Sequence, residues 1–198
     1  MGSIKKELLS GVFYTAIAKY SGILISLIIT GVLARLISPD KFGIVAVVTV
    51  ITFFFSIFSD LGIGAAIIQN KELQQKDLNQ LFSFTVWSGC ILTLLFFLCS
   101  WPISFFYKEP SMRTITQLLA INLFFASANI VPNALLYKAK AFKFLAWRSL
   151  GVQITGGIIA ILAALGGAGL YALIINPILS SILLFIISYQ KYPQTLEM

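Results

Sequence analysis

The chain has 198 residues and a net charge of +7, and its mean hydropathy of +0.95 reflects 59% hydrophobic against only 11% charged residues. A soluble domain is about one quarter charged, so this composition excludes an ordinary globular domain in water. Only helices and closed barrels can span lipid. The uncharged stretches are much longer than the ~10-residue alternating segments of a barrel, and they predict an all-α, multi-pass membrane helical bundle.

Charge-free stretches divide the chain into about six transmembrane helices, which together form a single membrane domain over residues 1–198. A hydrocarbon core of ~30 Å requires about 20 apolar residues per helix. In chain order the predicted helices cover about residues 12–36, 42–68, 79–101, 114–137, 149–165 and 170–190. Ser38-Pro39-Asp40 predicts the start of the second helix, and the glycine-rich run at 166–169 predicts the last turn.

The distribution of Lys and Arg between alternate loops predicts the orientation in the membrane. One set of loops carries nine basic residues and the other carries four. The set of nine comprises Lys5, Lys6, Lys71, Lys76, Lys138, Lys140, Lys143, Arg148 and Lys191. The set of four comprises Arg35, Lys41, Lys108 and Arg113. Because cytoplasmic loops carry the excess of basic residues, both termini are predicted to be cytoplasmic.

Lys19 and Asp60 are predicted to lie well inside the first two helices, and charged residues in such positions are candidates for function. Counting ~1.5 Å per residue from the outer helix ends places both in the cytoplasmic half. Adjacent antiparallel helices would then bring them together as an ion pair. Two structural alternatives are open. Lys19 could extend to the membrane interface, and Asp60 could cap a helix that loosens at Gly62 and Gly64.

The fourth predicted helix carries a stripe of amide side chains. Asn122, Asn129 and Asn133 fall within about 40° of one another at ~100° per residue. Such a stripe either hydrogen-bonds to a neighbouring helix or faces a wet cavity, where the amides would contact the hydroxyls of a polar solute.

The fifth predicted helix has small residues at every fourth position. They are Gly156, Ala160, Ala164 and Ala168. Small residues at this spacing let two helix backbones approach closely, so this face is predicted to pack against another helix.

A basic segment between the fourth and fifth helices interleaves cations with aromatic side chains. The cations are Lys138, Lys140, Lys143 and Arg148, and the aromatic residues are Phe142, Phe144 and Trp147. This pattern is typical of an interfacial stretch that binds anionic lipid headgroups or a lipid diphosphate. The alternative is that the cations only set the orientation of the chain.

Several functional motifs are missing from the sequence. The chain has no histidine, no nucleotide-binding loop, no cluster with metal-ligand spacing and no Ser-His or Cys-His arrangement. We therefore predict that the protein is not an enzyme and holds no cofactor or metal. Its positive charge lies in short loops, so nucleic acid is not expected as a partner.

Two segments of the first third of the chain resemble a known family. The first is LARLISPDKFGIVAVV, which contains Ala34-Arg35-Leu36, Ser38-Pro39-Asp40 and Phe42-Gly43. The second is FFFSIFSDLGIGAAIIQ, which contains Asp60-Leu61-Gly62, Gly64-Ala65-Ala66 and Gln69. They resemble the N-terminal region of bacterial polysaccharide exporters, the Wzx-like lipid-linked oligosaccharide flippases within the superfamily of multidrug, oligosaccharide-lipid and polysaccharide transporters.

The resemblance implies that the chain moves an undecaprenyl-diphosphate-linked oligosaccharide from the cytoplasmic to the periplasmic leaflet of the bacterial inner membrane. Family members use two lobes that rock about a central, often cationic cavity, in which Lys19 would suit a diphosphate or an acidic sugar. Six helices correspond to one lobe only. The chain is therefore expected to be a truncated lobe, or to pair with a second lobe or a second copy. Glycan polymerase and assembly proteins would be further partners.

Two other functions compete with this one. A multidrug-type, cation-coupled exporter would need acidic residues in its cavity, and Asp60 is the only candidate. A non-transporting lobe or assembly subunit of a glycan-synthesis complex would need neither Lys19 nor the asparagine stripe.

Overall fold

The computed structural model describes residues 2–60, 62–70 and 72–197, with side chains from Gly11 onward except that of Val12. Within these residues the chain is 88% helical and has no strand. The helices are α1 (Gly2–Leu36), α2 (Pro39–Asp60), α3 (Ile63–Gln69), α4 (Gln75–Tyr107), α5 (Pro110–Ala128), α6 (Ile130–Lys138), α7 (Phe142–Leu165) and α8 (Ala172–Lys191). A short 3-10 turn, Gly169–Tyr171, precedes α8.

Six segments of the described chain are long and apolar enough to cross a membrane, which confirms the predicted all-α membrane bundle. They are Phe13–Leu36, Pro39–Asp60, Gln75–Tyr107, Pro110–Lys138, Phe142–Leu165 and Gly169–Lys191. Two predicted helices are interrupted. The second stops at Asp60 and resumes as α3, and the fourth is divided at Asn129 into α5 and α6. Lys71 and the side chains of Lys5 and Lys6, which contributed to the predicted orientation, lie outside the described residues.

Three apolar clusters hold the helices together. The largest joins α2, α4, α5 and α8 through fully buried residues such as Val48, Phe96 and Ile115. A second joins α3, α4 and α6 around Ile67 and Val131. In the third, residues of α1 pack against small side chains of α7 and α8; its buried members are Ile29, Leu33, Ile37, Ala160 and Ala172.

The predicted small-residue face of the fifth span is a packing surface, as expected. Ala160 is fully buried against α1 and α8, with Ala164 and Ala168 beside it. A Cβ atom on Gly156 would lie 2.4 Å from Asn176 Oδ1, so any larger residue here would have to displace the Asn176 side chain of α8. The stripe therefore holds α7 and α8 together.

α1 and α2 pack mainly on different helices. The main partner of α1 is α7, and the main partner of α2 is α5. Gln153 on α7 strengthens the first pair by donating a hydrogen bond to the Gly22 carbonyl, 2.9 Å away. α1 and α2 therefore belong to separate helix pairs.

Candidate functional site

Two adjoining cavities lie between α2 and the α5–α6 pair. The Asn122 cavity, of about 180 Å³, is lined by Thr49, Thr52, Phe53, Ser56, Leu119, Asn122, Leu123, Ala126 and Pro177. The Asp60 cavity, of about 410 Å³, is lined by Ser56, Ser59, Asp60, Gly64, Ala65, Ile68, Ala126, Ile130, Asn133, Ala134 and Tyr137. Ser56 and Ala126 line both cavities, so the two adjoin along α2. Their lining is mainly apolar with polar side chains spaced along it, and the two cavities together are called the polar track after those side chains.

The hydroxyl groups of α2 give this track its chemistry. Thr49 Oγ1 donates to the Val45 carbonyl at 2.7 Å, and Ser56 Oγ donates to the Phe53 carbonyl at 2.7 Å. Because each hydroxyl has one proton and two lone pairs, its oxygen still has acceptor capacity toward the cavity. The Asn122 amide makes no hydrogen bond with the described residues, and it offers both a donor and an acceptor. The track can therefore bind a solute rich in hydroxyl groups.

Asp60 lies where α2 ends and α3 begins. Gly62 has φ +79°, a left-handed conformation that favours glycine and breaks the helix. The Gly64 amide then donates to Asp60 Oδ1 at 3.2 Å, so the carboxylate caps the first turn of α3. This is the structural alternative predicted for Asp60. The same side chain also lines the cavity.

Lys19 and Asp60 lie in different cavities, with Tyr137 between them. Lys19 lines a separate cavity of about 210 Å³, the Lys19 cavity, between α1 and the start of α7. Tyr137 lines both this cavity and the Asp60 cavity. The structure does not form the predicted Lys19–Asp60 ion pair, because α1 packs on α7 rather than on α2. The exposed Lys19 ammonium contacts no carboxylate of the described residues.

The three asparagines of the predicted stripe occupy three different environments. Asn122 lines the Asn122 cavity, and Asn133 lines the Asp60 cavity. Asn129 is instead the residue that joins α5 to α6. Its backbone carbonyl accepts a hydrogen bond from the backbone N–H of Asn133 at 2.9 Å. Its side-chain Oδ1 is buried and has no partner among the described groups. The stripe therefore supplies two cavity residues rather than three.

Arg148 differs from the sequence expectation. Only 9% of it is exposed, so in this structure it does not share the lysines' access to lipid headgroups. Its Nη2 donates to Asn133 Oδ1 at 2.9 Å, and its Nη1 donates to Ser188 Oγ on α8. Its Nε is buried without a partner among the described residues. The cause is position: Arg148 follows Phe142 by more than one turn, which carries it from the interface into the bundle.

The three lysines of the basic segment lie at the junction of α6 and α7. Lys138 Nζ donates to the Asn70 carbonyl at 2.7 Å and thereby satisfies the C-terminal end of α3. Lys140 occupies the turn itself with φ 54°, and Lys143 is exposed in the first turn of α7. Lys138 is thus bound to the protein, and Lys140 and Lys143 are exposed at the surface.

The sequence did not identify Ser56 and Tyr137 as candidate site residues. Each lines two cavities and connects them. The signal for Ser56 was present, because Thr49, Thr52, Ser56 and Ser59 recur at spacings of three and four on α2. Tyr137 gave no such signal, since an aromatic residue at the end of a membrane helix is normally an interfacial anchor.

The helical fold and the six apolar spans define a multi-span membrane protein. Residues 32–198 match the model of a family described as polysaccharide biosynthesis protein, so the chain belongs to that family.

Several curated proteins are similar to this chain. The lipopolysaccharide biosynthesis protein WzxC of Escherichia coli is 28% identical over 80% of the chain and 31% of its own length. The succinoglycan biosynthesis transport protein ExoT of Rhizobium meliloti is 22% identical over 76% of the chain and 31% of its own length. The teichuronic acid biosynthesis protein TuaB of Bacillus subtilis is 27% identical over 61% of the chain and 25% of its own length.

The chain spans less than one third of the length of these relatives. No solved structure matches it.

Proposed function

We propose that this chain is one lobe of a transporter that moves a lipid-linked oligosaccharide from the cytoplasmic to the periplasmic leaflet during surface polysaccharide synthesis. In this proposal the lipid carrier is undecaprenyl diphosphate, and the protein catalyses no covalent chemistry. The observation that carries the proposal is the polar track of the adjoining Asn122 and Asp60 cavities. The family membership and the transport function named for ExoT support it.

The lining of the track suits a sugar. Its polar groups are hydroxyls and amides interspersed with apolar carbons, and the carboxylate of Asp60 is the charged group among them. Hydrogen bonds to neutral hydroxyls contribute about 0.5–1.5 kcal/mol each. A site built from several such bonds can bind an oligosaccharide and still release it after the lobe has moved.

A buried cation behind this lining supports an anionic ligand. Arg148 has no carboxylate partner in the described part of the chain, and it reaches the Asp60 cavity through Asn133, which it holds at 2.9 Å. An uncompensated charge inside a membrane bundle is costly, and it usually serves transport or binding. In the proposed function the positive potential of Arg148, which lies behind Asn133, and of Lys19 in the neighbouring cavity attracts the diphosphate.

Alternating access requires two bodies that move against each other. We therefore propose that a second lobe, or a second copy of this chain, closes the space between α1 and α2. The distribution of basic residues predicts that both termini are cytoplasmic, so two copies would lie parallel.

The multidrug alternative is less well supported by the geometry. In a cation exporter Oδ2 of Asp60 would have to bind the drug or the coupling ion, because Oδ1 accepts the Gly64 amide, and no second acidic residue of the described chain lines the two cavities. The assembly-subunit alternative gives the polar track no role.

A photo-crosslinking experiment tests the proposal. The chain is reconstituted in lipid nanodiscs with a photoreactive polyprenyl-diphosphate oligosaccharide, and the labelled peptides are mapped by mass spectrometry. Labelling should concentrate on α2, α5 and α6. It should fall about tenfold in the Ser56→Val/Asn122→Leu variant, which removes two hydrogen-bonding groups.

The matched control is Thr155→Val, because Thr155 is an exposed hydroxyl on α7 outside the cavities. Labelling that persists in the double variant, or that falls equally in the control, would contradict the proposal. Competition by a lipophilic cation instead of the unlabelled oligosaccharide lipid would favour the multidrug alternative.

A further inference from the structure

A shallow cavity lies at the junction of α6 and α7, away from the polar track. This turn cavity, of about 480 Å³, is lined by Lys140, Ala141, Phe142, Lys143, Phe144 and Trp147. It adjoins the Lys19 cavity, because Phe142 lines both. The function proposed above gives it no role.

The charge around the turn cavity is positive. Lys140 and Lys143 line it, and no acidic residue among those whose side chains the structure describes does so. A third lysine comes from another helix: Lys191, in the last turn of α8, places its Nζ 5.9 Å from the centroid of the Phe144 ring. Lysine binds phosphate groups as a flexible point charge. Two helices thus contribute cations to one small region.

The wall of the turn cavity is aromatic. Trp147 is 68% exposed and belongs to a membrane-spanning segment, so its indole faces lipid near the start of α7. Phe142 packs closely against α1, because a Cβ atom on Gly11 would lie 2.7 Å from its ring. Tryptophan at this depth marks the boundary between headgroups and acyl chains. The lysines of this region therefore lie on the headgroup side of the aromatic wall. This is the order of the charged headgroup and the acyl chains in a phospholipid.

We propose that the turn cavity binds the phosphate headgroup of an anionic membrane phospholipid, with Lys143 and Lys191 at the phosphate and Trp147 beside the acyl chains. Charge complementarity selects an anionic over a zwitterionic headgroup. The exposed aromatic wall selects a membrane lipid over soluble phosphate. Bound in this way, the lipid would bridge the start of α7 and the end of α8 on the face next to the Lys19 cavity.

Native mass spectrometry of the full chain tests the proposal. The chain is released from detergent micelles that contain equal amounts of phosphatidylglycerol and phosphatidylcholine, and the retained lipids are counted. Phosphatidylglycerol should be preferred. Its apparent affinity should fall on the order of tenfold in Lys143→Gln/Lys191→Gln, because each lysine near an anionic surface contributes about 1 kcal/mol. The charge-retaining variant Lys143→Arg/Lys191→Arg should keep the preference.

The matched control is Lys41→Gln/Lys76→Gln, which removes the same charge from exposed positions outside the turn cavity. Substitutions at such surface positions change stability by about 0.5 kcal/mol or less, so all variants should fold. The proposal is overturned if the wild type shows no preference for phosphatidylglycerol, or if the control loses it equally. It is also overturned if a polyprenyl diphosphate displaces phosphatidylglycerol from the wild type at equal concentration, since the site would then be a substrate site. None of these outcomes affects labelling of the polar track, so the two proposals fail separately.

Discussion

Asp60 combines two roles at one position, and two substitutions separate them. Its Oδ1 caps α3 at the Gly64 amide, and asparagine is as good a capping residue as aspartate, whereas alanine is not. We predict that Asp60→Ala lowers the unfolding free energy by about 1 kcal/mol and that Asp60→Asn leaves it nearly unchanged. Thermal or chemical unfolding in detergent checks this. An equal loss in both variants would mean that the charge, rather than the cap, stabilises the protein.

Arg148 is predicted to matter more for ligand binding than for stability. Removing its guanidinium breaks the bonds to Asn133 and Ser188, which costs stability, but it also removes the desolvation penalty of a buried charge. The lost hydrogen bonds lower the unfolding free energy and the removed desolvation penalty raises it, so the two effects oppose each other. We predict that Arg148→Met changes the unfolding free energy by about 1 kcal/mol or less, while capture of the diphosphate-linked oligosaccharide is lost.

The stability scale for that comparison comes from Leu119→Ala. Leu119 is a buried core residue, and its truncation should cost about 2–5 kcal/mol. An Arg148→Met variant as unstable as Leu119→Ala, with capture intact in the folded fraction, would contradict the binding role.

At this scale the sequence identified some residues and misplaced others. Asn122, Asn133 and Asp60 could be identified from the sequence, because a polar residue is conspicuous in an apolar span whatever the direction of its side chain. Arg148 was grouped with the neighbouring lysines, because linear distance does not reveal that a helix start at Phe142 carries it inward. Tyr137 could not be predicted, since its role comes from contacts between helices.

At the scale of elements, the packing of α4 on α5 depends on a missing side chain. A Cβ atom on Gly89 would lie 2.7 Å from Ser127 Cβ, closer than packed carbon atoms approach. Ser127 also donates to Ser59 on α2 at 3.0 Å, so the contact joins three helices. We predict that Gly89→Leu lowers the unfolding free energy by about 1–3 kcal/mol through overpacking.

Gly151 provides the control for this substitution. It lies within α7 and has no atom within 4 Å of its would-be Cβ. Gly151→Leu should therefore change stability by about 0.5 kcal/mol or less. Equal unfolding midpoints for the two variants would contradict the close approach of α4 and α5.

Element boundaries were predictable where the chemistry is local and not where it is tertiary. Ser38-Pro39-Asp40 correctly marked the start of α2. The division after Asp60 was one of the alternatives that the sequence offered, through Gly62 and Gly64. The division at Asn129 was not predicted, although Pro132 in the first turn of α6 lacks the backbone donor that a continuous helix would use. The pairing of α1 with α7 was also hidden, since lipid-facing and helix-facing residues are equally apolar in a membrane protein.

At the scale of the whole molecule, the number of spans followed from composition, while the orientation is still a prediction. The distribution of basic residues predicts that the α1–α2 turn lies outside and the loop before α4 inside. We predict that Ser38→Cys, in a background with Cys90→Ser and Cys99→Ser, reacts with a membrane-impermeant thiol reagent from the periplasmic side. Gln74→Cys should react only after the membrane is permeabilised. The reverse pattern would invert the topology and the proposed direction of transport.

In the proposed function one face of α2 borders the polar track, which water can enter, while the opposite face contacts lipid. Ser56 lines both cavities, whereas Phe54 is 58% exposed and points about 160° away around the helix at ~100° per residue. The most direct measurement compares the rates at which a charged, water-soluble methanethiosulfonate modifies Ser56→Cys and Phe54→Cys in membranes. We predict that Ser56→Cys reacts at least about tenfold faster than Phe54→Cys, since thiolates react from water and not from hydrocarbon. Equal rates, or a faster reaction at Phe54→Cys, would contradict it.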